Sequence, residues 1–186
     1  KPRKAQPATD TQALTKTLRL PAKANAKASA KDTSTKDTSA PTLADLAPTL
    51  EAEHTPALQQ LAADLGHNPH KIYQWVHDHI YWQPTHGSVQ GAAHTLDKKA
   101  GNATDTASLL IALLRASGIP ARYVYGSIEV PADQAMNWAG GAKTLDAAQQ
   151  IMNQGGIPTT ALVSGGKLSA IRLEHVWVEA LIQYHP

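Results

Sequence analysis

The sequence predicts an α+β fold, with helices packed on an antiparallel sheet and an extended low-complexity segment in front of it. Three observations carry that prediction. Three helix-type patterns, separated by one long loop, come before residue 118 and the strand-type patterns come after Ala121, and helices first with strands later is an α+β order. Gly165 and Gly166 separate two alternating apolar runs, the mark of a hairpin and so of antiparallel pairing. Residues 1–47 are rich in Lys, Ala, Thr, Ser, Asp and Pro and bury too little apolar surface to offset their ordering entropy.

That N-terminal stretch reads as a linker or tail. KANAKASAKDTSTKDTSAPT has no large apolar residue, and the alternating Ala and Lys of residues 22–31 offer no periodic apolar face. Leu14, Leu18 and Leu20 form a short patch in TQALTKTLRLP. The segment is expected to stay out of the domain core, with any order coming from contacts with another molecule through those leucines or through paired lysines. Residues 48–186 read as one folded domain.

Within it, TPALQQLAADLGHN has Thr55 as N-cap, Pro56 at the first helical position, leucines at 58, 61 and 65, and Gly66 at the stop. NPHKIYQWVHDHIYW starts the same way with Asn68 and Pro69, and Ile72, Val76 and Ile80 fall on one helical face. QPTHGSVQGAAHTLDKKAGN reads as a long loop. A turn at Gly101 to Asp105 then opens a helix that is apolar nearly all round, from Leu109 to Leu114, which places it centrally. Gly118 supplies its left-handed end and Pro120 forbids continuation. ARYVYGSIEV alternates as a strand. Two short helices, broken at Gly140 and Gly141 and stopped at Gly155 and Gly156, precede the hairpin and a long strand through His175 and Trp177.

Composition narrows the function. Seventeen Lys and Arg against fifteen Asp and Glu leave too small a net charge to argue for nucleic acid or an anionic membrane surface. The longest apolar run is far too short to span a bilayer, so no membrane insertion is expected. With no cysteine there is no disulfide framework, thiolate metal site or Cys nucleophile. Nine histidines invite a metal, but His77 and His79 lie two apart on a helix and face different sides, and no HExxH occurs. No metal and no cofactor are expected. The chain opens on Lys1, the start expected of a processed or partial chain.

The informative pair is the helix start at Gly101, Asn102, Ala103 and Asp105, and the strand element EHVWVEA with His175 and Trp177. A buried helix start presents unpaired N–H groups and a positive dipole end, which lower a thiol's pKa and favour an oxyanion. A histidine on a neighbouring strand could serve as base. Equally, Asn102 or Asp105 is a plain helix cap, and His175 is one polar residue on an alternating strand.

Here the chain resembles a known family. GNATDTA, RASGIPARYVYG and EHVWVEA, in that order and register, are similar to the core of bacterial transglutaminase-like proteins. These share the papain-like cysteine-protease arrangement and show Gly-x-Cys-x-Asp-x-Ala, Gly-Ile-Pro-Ala-Arg and His-x-Trp-Val-Glu. The resemblance implies a degenerate site: Ala103 at the cysteine position, His175 at the base position, and Gly101, Asn102, Asp105 and Trp177 as its shell. The third triad member would lie beyond Tyr184, His185 and Pro186, so the resemblance also implies that the domain over residues 48–186 is cut short at its C-terminus. Ala103 is read as the native residue of a non-catalytic branch, or as a cysteine replaced by alanine. Further likeness to copies in large secreted or surface-associated bacterial proteins, some with Rhs-type repeats, implies a secreted, cell-surface or periplasmic setting. It also implies a protein or peptide partner, other copies or segments of the same large protein included. A binding module, a disabled cysteine transglutaminase or protease, and a purely structural domain are the functions that fit. Arg115 is expected to complement the central helix's C-terminus and to bond its last carbonyls, and Arg122 to meet Asp105, Glu174 or Glu179.

Overall fold

The computed structural model describes residues 41–182. The expectations for Leu14, Leu18 and Leu20, for residues 22–31 and for the Tyr184-His185-Pro186 end lie outside them. A 3-10 turn at Leu43–Leu46 comes first and lies against the central helix and the strand that follows it.

Helix α1 (Pro56–Asp64) is capped by the Thr55 side chain, which accepts from the Leu58 N–H. Helix α2 (Pro69–His79) is capped by Asn68, whose side chain accepts from His70 and Lys71. It ends earlier than its apolar pattern suggests: Tyr81–Trp82 form strand β1, which pairs in parallel with strand β2 (Ala100–Gly101). The expected loop between them holds helix α3 (Gly91–Lys98). Its single large apolar residue, Leu96, gave no period to read. Its N-terminus is satisfied from outside, by Asp105.

Central helix α4 (Ala103–Ala116) buries Leu109, Ile111, Leu113 and Leu114. Gly118 takes φ +74° behind it. Strand β3 (Ala121–Pro131), helices α5 (Ala132–Trp138) and α6 (Leu145–Gln154), and strands β4 (Thr159–Ser164) and β5 (Lys167–Ala180) complete the described residues. The sheet order is β3-β5-β4, antiparallel throughout, as the hairpin at Gly165 and Gly166 requires.

Two apolar clusters hold the sheet. One joins α1, α2 and α4, and Tyr123, Val178 and Ala180 pack against it. The other, under α5 and α6, includes Val130, Ile171 and Leu173. Side chains alternate across a strand, so Val178 and Ala180 face one side of β5 and Ile171 and Leu173 the other. The central helix thus covers one face toward one end of β5, and the small helices cover the opposite face toward the other end. His175 and Trp177 share the parity of Leu173.

Candidate functional site

The helix start is built by three polar groups with separate tasks. Buried Asn102 is the N-cap of α4, its Oδ1 accepting from the Asp105 N–H at 2.9 Å. Its Nδ2 donates to Thr85 Oγ1 at 3.1 Å and to the Gly87 carbonyl at 2.8 Å, which pulls loop 83–90 over the helix start. Asp105, also buried, does not cap its own helix. Its Oδ1 accepts from the N–H groups of Val89 and Gln90 at 3.0 Å and of Gly91 at 3.4 Å, and so caps α3. Gly101 must lack a side chain, because a Cβ there would stand 2.9 Å from the Asp105 Cβ. Ala103 is the first residue of α4 and is half-buried. Its methyl group offers neither nucleophile nor metal-binding atom.

On β5, His175 lies opposite Gly126 of β3. The Trp177 ring lies over the same glycine, where a Cβ would come within 2.8 Å of it. His175 stands between two indoles, with ring centres 6.0 Å from Trp138 and 6.3 Å from Trp177. Burial pushes its pKa below the ordinary histidine value of 6.5, so at neutral pH the ring is uncharged and able to accept a proton.

Two bridges join the helix start to the strand. Trp82, opposite Gly101 in the parallel pair, has its ring centre 5.8 Å from Trp138. That continues the aromatic row Trp82, Trp138, His175, Trp177. In addition, His86, between the two residues that Asn102 holds, reaches Glu174 at 3.6 Å. Trp82 and Trp138 were missed in the sequence because they reach the row only through the strand pairing and the helix after β3, neither of which is local in sequence.

The arginines are structural. Arg115 is buried and donates from Nε and Nη2 to the Ala121 carbonyl and from Nη1 to Ala47. It ties the 3-10 turn to β3 rather than bonding the last carbonyls of its own helix. Of the three acids expected for Arg122, it meets Glu179, at 2.9 and 3.0 Å. His77 bonds Asp78, and His79 bonds the Trp75 carbonyl. Among the described residues, no group of three or more His, Asp or Glu is placed to hold a metal.

These features define an α+β domain in which a buried helix start and a strand histidine are tied together by loop 83–90 and a row of rings. The chain belongs to the Transglutaminase-like superfamily, whose family model matches residues 55–185. None of the curated proteins or solved structures compared with the chain matches it.

Proposed function

We propose that this domain is a catalytically inactive transglutaminase-like module that binds a protein or peptide through the degenerate site. Ala103 occupies the family's cysteine position, His175 the base position, and Gly101, Asn102, Asp105 and Trp177 the shell. The observation that carries the reading is a transglutaminase-like domain with no cysteine anywhere in the chain, whose helix start is nonetheless held by buried Asn102 and Asp105. Removing a covalent nucleophile abolishes the acyl-enzyme route, and the residual effect of oxyanion donors is small beside it.

The resemblance of LAADLGHNPHKIYQWVHDHIYW and GNATDTASLLIALLRASGIPARYVYG to copies in large secreted or surface-associated bacterial proteins, some with Rhs-type repeats, favours an extracytoplasmic setting. It also favours a partner drawn from the same assembly. Three of the chain's four tryptophans flank His175 or the helix start, so intrinsic fluorescence reads this site. Titration with a panel of extended peptides cut from the full-length protein is expected to give a saturable fluorescence change that His175→Ala weakens at least fivefold. Amine incorporation and peptide cleavage are expected to be undetectable. Turnover by the parent, or no saturable change with any peptide, would contradict the reading.

A further inference from the structure

A second surface is lined by none of Ala103, His175 and Trp177. Leu50, Glu51, Glu53, Val89, His94 and Lys98 are among the residues lining an open recess of about 500 Å³. Two of its apolar side chains stand in solvent, Leu50 at 90% and Val89 at 64% exposure. Its two carboxylates form no ion pair among the described residues. The recess therefore combines unpartnered apolar surface with two carboxylates outside any ion pair, against the single cation of Lys98.

The charge of the chain is divided unevenly. Residues 1–40 carry nine Lys and Arg against three Asp, a net +6, and the remaining residues carry eight Lys and Arg against twelve Asp and Glu, a net −4, which together make the chain's +2. Within residues 1–40 the only large apolar side chains are Leu14, Leu18 and Leu20, and they enclose Lys16 and Arg19. That short run pairs leucines with two cations, the complement of the apolar surface and the two carboxylates of the recess. Twenty residues lie between Leu20 and Pro41, and a chain of that length spans up to roughly 70 Å. The recess begins at Leu50, shortly after the described residues start, so the tether reaches it. Tethering also holds the segment at an effective concentration on the order of mM for a short linker.

We propose that residues 14–20 dock in this recess, with the leucines on Leu50 and Val89 and with Lys16 and Arg19 facing Glu51 and Glu53. This goes beyond the expectation that the leucines only meet other molecules, and it uses none of the degenerate-site residues. The recess does share the Val89 to Gly91 backbone with the Asp105 carboxylate, so occupancy bears on the segment that Asp105 holds.

The absence of cysteine makes the test clean. A nitroxide on Ser88→Cys in the full chain reports, through line broadening of backbone amide signals, which residues visit the recess. Residues 14–20 are expected to lose at least half their signal intensity, and more than residues 24–34, although the latter lie nearer in sequence. Leu18→Asp in the tail, or Glu51→Lys with Glu53→Lys in the recess, should return 14–20 to the level of 24–34. Salt at 1 M, where screening acts within about 3 Å, should weaken the effect. Leu18 precedes the family-matched residues 55–185, so the tail variant leaves the sequence of that domain unchanged. Broadening of 14–20 no greater than of 24–34 would overturn the proposal. So would broadening that appears only between differently labelled copies, which would make the occupant a second molecule. Unchanged broadening in the Leu18→Asp chain, with loss on adding a polyanion, would assign the basic segment to such a ligand instead.

Discussion

Asp105 shows how far a single residue's task can lie from its place in the sequence. In the first turn of α4 it looks like a favourable charge at a helix start, yet its carboxylate accepts three backbone N–H groups from the beginning of α3. Asp105→Ala would leave those donors without their acceptor. Hydrogen bonds to a charged group contribute about 1.5–3 kcal/mol each and are not additive, so a loss of about 3 kcal/mol is expected in urea unfolding; a loss below about 1 kcal/mol would show that the loop finds other acceptors. His175 makes a second residue-scale prediction. Its folded-state pKa is lowered by burial, so the unfolded chain binds the proton more readily. Its contribution is therefore fully present above about pH 6.5 and is lost as pH falls from there through the folded-state pKa. His175→Gln should flatten that part of the stability profile, and a slope unchanged from the parent would place the titration elsewhere.

At the scale of elements, loop 83–90 is the part that joins the helix start to the strand, and it is held from both sides. Asn102 binds Thr85 and Gly87, and the His86 N–H donates to the Gly155 carbonyl at 3.1 Å. Gly155 has an ordinary φ of −75°, so it is required for space: any Cβ there would overlap the Pro84 carbonyl oxygen. Gly155→Ala should displace the loop at a cost of about 1–3 kcal/mol, the range for overpacking, and should alter tryptophan fluorescence through Trp82. A variant as stable as the parent, with the same spectrum, would show that the loop is not pinned there. The same loop marks the boundary of what the sequence reveals. Caps and stops were legible at α1, α2 and α4 because Thr55, Asn68, Asn102 and Gly118 act on their immediate neighbours. Helix α3 and strands β1 and β2 were not, because Asp105 and the pairing of Tyr81–Trp82 with Ala100–Gly101 supply their partners from a distance.

Across the whole molecule, separate local signals carried the fold: the Gly165-Gly166 turn made the antiparallel pairing readable, the apolar run Leu109 to Leu114 the buried central helix, and three short motifs the transglutaminase-like family. The aromatic row was not, since its four rings come from β1, α5 and β5 and meet only in three dimensions. The central claim is that the shell around the helix start persists without the chemistry. Alkylation of an Ala103→Cys variant tests it most directly, because the parent has no thiol to compete. A thiol at a helix N-terminus has a depressed pKa, and among the described residues His175 has ring contacts with Trp138 and Trp177 but no hydrogen bond that fixes its orientation, an orientation on which such a pair depends. The variant is expected to react with iodoacetamide at neutral pH at least tenfold faster than a free cysteine peptide, while showing only trace amine incorporation. Alkylation no faster than the peptide would mean that the shell has decayed, and robust multiple turnover would mean that the site is complete; either result contradicts the account.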